Sequence, residues 1–255
     1  MLNPEDGKVL NGRYTNAYFD LLYPLPEGWK EDLAGPGPSP SGYYVLGTLV
    51  PEDDVSATIM IAAQDMLFAA KPDSSAAAMT VAFREEISKV NGMTIDREPT
   101  EVKIGDRVFH RVDFSGVGLY RAMFATEGRC HALTFNFTTS DRDELANLIL
   151  SLNKLSSTAA KSDASAPLCV KNYAVPENLL RRVQPELSGS TVPIPVRMII
   201  DKDGGVKHVH VLGGSTGQRR NIDEALRQWK FKPPVVDGRP VEIETGVLFQ
   251  FKGQS

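Results

Sequence analysis

The end of the chain leaves the backbone little freedom. Asn221 to Phe251 reads NIDEALRQWKFKPPVVDGRPVEIETGVLFQF. Ile222, Ala225, Leu226 and Trp229 recur at i, i+3, i+4 and i+7, which puts them on one face of a helix. Asn221 is the expected N-cap, with Glu224 three positions on to reach back in a variant of the capping box. Pro233-Pro234 ends the helix, because proline cannot continue the hydrogen-bond ladder. Asp237-Gly238 turns the chain. Val241, Ile243, Thr245, Val247, Phe249 and Phe251 then point one way, while Glu242, Glu244, Gln250 and Lys252 point the other. That alternation is a half-buried strand. Upstream, Val192, Ile194, Val196, Met198 and Ile200 alternate with Pro193, Pro195 and Arg197. This is a second strand, and its prolines predict a sheet edge or a bulge. Asp203-Gly204-Gly205 makes a tight turn. Val206 to Leu212 returns beside it, with Val209 and Val211 on one face and His208 and His210 on the other. The order is β-β-α-β.

So small a piece does not account for 255 residues, a length comfortable for two domains. The seam falls in KLSSTAAKSDASAP, Lys154 to Pro167, where no large apolar residue follows Leu155. Such a stretch cannot bury enough surface to offset its ordering entropy. The predicted division is residues 1–153, a linker at 154–169, and 170–255. In the first part, Tyr18 to Tyr23 reads as a strand closed by Pro24 and Pro26. GPGPSPSG follows as a loop, and VSATIMIAAQD as a largely buried strand. A helix is expected from near Ser74, with Ala78, Val81, Ala82, Ile87 and Val90 as its stripe and Gly92 as its stop. RVFHRVDFSG, LYRAMFATEG and CHALTFNFTT, separated by glycine-containing turns, read as an antiparallel meander. The closing helix has Ser140 as N-cap and Leu145, Leu148, Ile149, Leu152 and Leu155 on one face. The predicted fold class is α+β: an antiparallel sheet with packed helices, then a small β-β-α-β domain.

Composition narrows the function. Hydrophobic residues are 42% and charged residues 24%, an ordinary globular balance. A net charge of −4 and no basic cluster longer than Arg219-Arg220 argue against nucleic acid. No run of 18 apolar residues spans a membrane. MLNPEDGKVLNGRY lacks the apolar core of a signal peptide, so the start is either native or follows a removed leader or anchor. Cys130 and Cys169 permit one disulfide in an oxidising compartment, but two unrelated thiols are the simpler reading.

Two resemblances add to this. YTNAYFDLLYPLPEGW, an aliphatic strand, a helix, a G..F.R.DF hairpin and a Leu-rich closing helix resemble the PsbP-like α/β/α sandwich family over about residues 12–156. Members of that fold mostly serve as accessory or scaffolding modules. DKDGGVKHVHVLGGS, IDEALRQWKFKPPVVDGRPV and the closing VLFQF resemble the TonB C-terminal domain family over about residues 170–253. That resemblance implies a small periplasmic module recognising extended peptide segments, such as those of outer-membrane receptors, by adding a strand to its sheet. A folded domain on a short linker stands where an energy transducer has a membrane helix and a proline-rich span. The resemblance therefore implies the binding module and not its coupling to a membrane motor.

Sharper chemical readings are weighed against plainer ones. Trp229 and Phe231 fit a core at this spacing better than a ligand box. His208 and His210 share a strand face, but a structural zinc wants about four ligands. Cys130 and His131, adjacent on a strand, face opposite sides. A Cys130–His110 dyad needs a spatial pairing that sequence does not give. Gly213 to Gly217, GGSTG, lacks the lysine of a phosphate loop and reads as the strand-to-helix connection. Glu242 and Glu244 read as a solvated face. No serine-hydrolase, metalloprotease or CxxC motif is present, and no cofactor or metal is expected. The expectation is a non-enzymatic, extracytoplasmic adaptor. Its accepting edge should lie on the first or last strand of the C-terminal sheet, through Val192, Ile194, Val196, Glu242, Ile243, Glu244 and Phe249. The alternatives are an energy-transducer fragment, a ligand-binding or enzymatic first domain, and a homodimer formed by edge pairing.

Overall fold

A computed structural model describes residues 2–32, 37–53, 56–69, 75–157, 166–186 and 192–249. Strands dominate, and helices lie on the sheets, so the fold is α+β. The N-terminal part opens with a three-stranded antiparallel sheet, β1 (Lys8–Leu10), β2 (Arg13–Asn16) and β3 (Leu21–Pro24). A seven-stranded sheet follows. It comprises β4 (Trp29–Glu31), β5 (Tyr43–Pro51), β6 (Ala57–Asp65), β7 (Met93–Ile104), β8 (Arg107–Gly116), β9 (Leu119–Gly128) and β10 (His131–Thr139). Its order is β4-β5-β6-β10-β9-β8-β7, antiparallel throughout. Helix α1 (Ala76–Ser88) connects β6 to β7, and α2 (Arg142–Ser151) follows β10.

Period-two alternation sorts the side chains of this sheet onto two faces. Leu133, Phe135 and Phe137 of β10 join Phe109, Phe124, Ile59 and Ile61 in one large cluster. Leu145, Leu148 and Leu152 from the α2 region and Tyr14, Leu21 and Tyr23 from the small sheet close it. On the opposite face Ala125 and Ala132 admit α1 at Ala76. The meander and closing helix follow the expected plan. Asp141 rather than Ser140 caps α2, accepting from the Asp143 and Glu144 amides. Helix α1 starts at a Ser75 cap and buries only Ala76 and Thr80, while Val81 and Val90 are exposed. The stripe expected there is therefore displaced. Strand β5 and the first small sheet were not foreseen, and the strand expected at Tyr18–Tyr23 begins at Leu21.

The C-terminal part has its own cluster, built on β13 (Ile194–Ile200), β14 (Val206–Val211), α3 (Thr216–Leu226) and β18 (Ile243–Phe249). Between Cys130 and β13 come β11 (Leu168–Cys169) and β12 (Leu179–Arg181); β15 (Lys230–Phe231), β16 (Val235–Val236) and β17 (Arg239–Pro240) lie between α3 and β18. Helix α3 is shifted from its expected place: it runs from Thr216 to Leu226 and ends well before Pro233-Pro234, with Lys230 and Phe231 already in a strand. Ser215 caps the helix, accepting from the Gln218 amide, while the Gln218 side chain accepts from the Ser215 amide in a complete capping box. Asn221 sits inside the helix and donates to the Glu186 carbonyl. Trp229 lies just past the helix end, yet its ring is buried and its Nε1 donates to the Val183 carbonyl, 2.7 Å away. Val235-Val236 and Arg239-Pro240 pair across Asp237-Gly238, both at positive φ, as a two-residue hairpin turn requires.

The stretch read as a linker is tied down at both ends. Ser156 exchanges backbone hydrogen bonds with Leu22, and β11 pairs with β18. Residues 158–165 lie outside the described set.

Candidate functional site

The C-terminal sheet has the order β11-β18-β13-β14. Strand β13 is therefore central, not an edge. Its Val196, Met198 and Ile200 pair with Val211, Val209 and Val206 on one side and with Val247, Thr245 and Ile243 on the other. Of the residues proposed to accept a partner, Ile194, Val196, Ile243 and Phe249 are buried in the C-terminal core. Val192 precedes β13 and is exposed. The prolines misled for a local reason. Pro193 stands outside the strand, and the Pro195 carbonyl accepts from the Leu212 amide just beyond the end of β14. In an antiparallel pair a residue's N and O face the same neighbour, so the missing donor costs one bond at a fading strand end.

Two edges remain open among the described residues. Nothing pairs with the outer side of β14, where alternation places the main-chain groups of Val209 and Val211. Strand β11 covers only the start of β18, in parallel register at Ile243 and Glu244. The Leu168 and Val170 amides donate to the carbonyls of Glu242 and Glu244. By the same alternation the main-chain groups of Gly246 and Leu248 face outward past the end of β11. Glu242, just ahead of β18, pairs with Lys207 at 2.7 Å. Gln250, Phe251 and Lys252 lie outside the described residues.

Glu244 is not solvated. It is 3% exposed and belongs to a polar network joining the two parts of the chain. At the centre is Arg197, the lone charge in the strand IPVRMII. Its Nη1 donates to Asp65 Oδ2 and lies 3.1 Å from His131 Nε2. Its Nη2 meets Glu244 Oε1 at 2.8 Å and the Tyr18 hydroxyl at 3.0 Å. His131 Nδ1 lies 2.7 Å from the Arg129 carbonyl, which can only accept. The ring proton therefore sits on Nδ1, leaving Nε2 to accept from Arg197. Burial, reinforced by the Arg197 charge, holds the His131 pKa well below its ordinary 6.5. Burial also pushes the Tyr18 phenol up, so its hydroxyl keeps the proton it donates to Glu244 Oε1. The Arg129 guanidinium lies 4.0 Å over the Tyr18 ring.

A disulfide fastens the same seam. Cys130 and Cys169 are bonded, which overturns the reading as two unrelated thiols and removes Cys130 as a nucleophile. Arg129 and Cys130 form the two-residue turn between β9 and β10, both at positive φ. Such backbone costs energy in residues other than glycine, and here the bridge and the Arg129 carbonyl's hydrogen bonds hold it in place. A 39-residue separation makes the cross-link worth about 4 kcal/mol in the chain-entropy picture. His208 and His210 face this seam too, beside Asn3 at 3.3 Å and Glu5 at 3.0 Å. Among the described residues no group of three His, Cys, Asp or Glu is placed to hold a metal. No described helix is long and apolar enough to cross a membrane.

Sequence reasoning missed Arg197, Asp65, Tyr18 and His131 as a set. The one available signal was an arginine in an otherwise apolar strand, since a buried charge demands a partner.

Residues 188–252 match the family described as Gram-negative bacterial TonB protein C-terminal. The match spans about a quarter of the chain and contains β13, β14, α3 and β18. Among solved structures, the solution structure of CyanoP, a cyanobacterial PsbP from Synechocystis sp. PCC 6803, is similar at 12% identity and a TM-score of 0.42. The alignment covers 57% of this chain and 91% of that one. LpqN, involved in cell envelope biogenesis of Mycobacterium tuberculosis, is similar at 16% identity and a TM-score of 0.35, over 52% and 78% of the two chains. No curated protein is significantly similar to the chain.

Proposed function

We propose that this protein is a non-enzymatic adaptor of the periplasm, in which residues 170–255 take an extended protein or peptide segment as an added strand. The supporting observation is the outer edge of β18. It already accepts a strand at Ile243 and Glu244, and it then runs on to Phe249 with no strand beside it among the described residues. That edge lies within the residues matching the TonB C-terminal family, and strand addition to an exposed edge is an established peptide-recognition mode. The accepting groups are the main-chain amides and carbonyls of Gly246 and Leu248. Glu242, Ile243 and Glu244 fix the strand from its start, and Phe249 anchors its end in the core. Residues 1–153 serve as a scaffold clamped to the binding unit by the disulfide and the Arg197 network. A disulfide suits an oxidising compartment, which fits the periplasm.

The test is capture from a bacterial envelope extract with the intact, oxidised chain as bait, followed by hydrogen exchange on the complex. The expected result is new protection at Gly246 and Leu248. Recovery of outer-membrane receptors would favour a transducer-like role, and recovery of other envelope proteins a general adaptor. A captured partner that protects neither amide contradicts the proposed edge. Protection of Val209 and Val211 instead would move it to β14.

A further inference from the structure

A cavity of about 320 Å³ lies between α1 and the seven-stranded sheet, at the small end of the range for ligand pockets. It exists because α1 sits loosely, burying only two of its residues. Met79 and Phe83 of α1 form its roof, and Met60 and Met123 lie on its floor. Methionine side chains are flexible and polarisable, so such walls adapt to an apolar guest. At one end stand Phe114 and Arg121, cross-strand neighbours on β8 and β9.

Arg121 is the odd member of this set. Its guanidinium carbon lies 5.8 Å from the Phe114 ring centre. Its Nη1 is buried and has no hydrogen-bond partner. No carboxylate lines the cavity among the described residues. The polar side chains lining the cavity, Tyr43, Gln64, Thr134, Asn136 and Thr138, make no hydrogen bond to Arg121 Nη1. The amide nitrogens of Gln64 and Asn136 are turned to other partners, the Ser41 and Asp65 carbonyls for one and Thr134 Oγ1 and the Met60 carbonyl for the other. A buried guanidinium nitrogen without an acceptor is costly. The missing acceptor therefore defines what the cavity should hold.

We infer that this cavity binds a small amphipathic monocarboxylate, its carboxylate against Arg121 and its apolar body among the methionines. A planar guanidinium matches a planar carboxylate through paired N–H···O bonds, and a single cation matches a single negative charge. The site lies on the α1 face of the N-terminal sheet. It is independent of strand addition by the C-terminal sheet.

Decanoate is the probe, with 1-decanol as its uncharged counterpart. Titration into the intact chain is followed through the methionine methyl signals in NMR, below the concentration at which either compound aggregates. Decanoate should shift the methyls of Met60, Met79 and Met123, and should bind at least ten-fold tighter than decanol. Arg121→Gln should remove that preference and leave decanol unchanged. Met79→Trp, which fills the roof with Arg121 intact, should weaken both. Equal binding of decanoate and decanol to the unaltered chain would overturn the inference, whether or not the variants fold. So would the absence of shifts at these three methyls.

Discussion

Single residues carry more of this structure than their neighbours suggest. Gly204 has φ +83°, and a Cβ there would sit 2.1 Å from the Phe231 carbonyl oxygen. The Phe231 amide in turn donates to the Gly204 carbonyl at 2.8 Å, so the turn cannot shift to make room. Gly204→Ala should cost about 2–4 kcal/mol, combining left-handed strain with a backbone clash; the shift of the denaturant midpoint measures it. Arg197→Ala leaves Asp65 buried without its cation and Glu244 with only Arg129, 3.9 Å away, and should cost about 3–5 kcal/mol. Replacing all three by Met, Asn and Gln should recover part of that loss, because neither buried carboxylate is then left charged. The sign of the His131 effect follows from its lowered pKa. The unfolded chain binds a proton as pH falls below about 6.5, whereas the folded chain resists doing so. Stability is therefore present above 6.5 and lost on acidification, by up to about 1.4 kcal/mol per pH unit for one proton. Between pH 6.5 and 5, His131→Gln should show a shallower decline of melting temperature than the unaltered chain. Equal slopes would refute that assignment.

Elements were legible where a periodic pattern met a hard stop. The Asp237-Gly238 turn and the alternation of β18 follow from residue chemistry that tertiary context does not override, whereas Trp229 is buried from just beyond α3 and not from its face. The start of α3 was misplaced because Ser215 hides inside a glycine-rich run that reads as loop, although Gln218 three residues on completes its capping box. Strand β13 was misread as an edge because proline reports a missing donor without reporting which end of the pairing loses it. The β9–β10 turn was expected, but not that Cys130 stands in it instead of on the strand, and β11 could not be read at all. Their structure depends on a cross-link between residues far apart in sequence, and two cysteines alone carry little information. Changing Cys130 and Cys169 to serine should lower stability by about 4 kcal/mol. It should also raise amide exchange at Leu168 and Val170, which bond to Glu242 and Glu244. Exchange rates unchanged at those amides would mean that β11 holds without the bridge.

At the scale of the whole molecule, composition suggested a division into two parts and gave no sign of their union. The sequence shows a polar seam and predicts a free linker. The structure instead shows the back of the C-terminal sheet closed against Tyr18, Asp65 and His131 through Arg197 and Glu244. A face taken for solvent is an interior. That leaves the sheet's edges, not its face, for a partner, and makes the outer side of β18 the central claim. Hydrogen exchange on the intact chain with a captured envelope partner tests it most directly. Slowed exchange at Gly246 and Leu248, with β13 unchanged, is the predicted result; unchanged exchange at both amides in a saturated complex would contradict it.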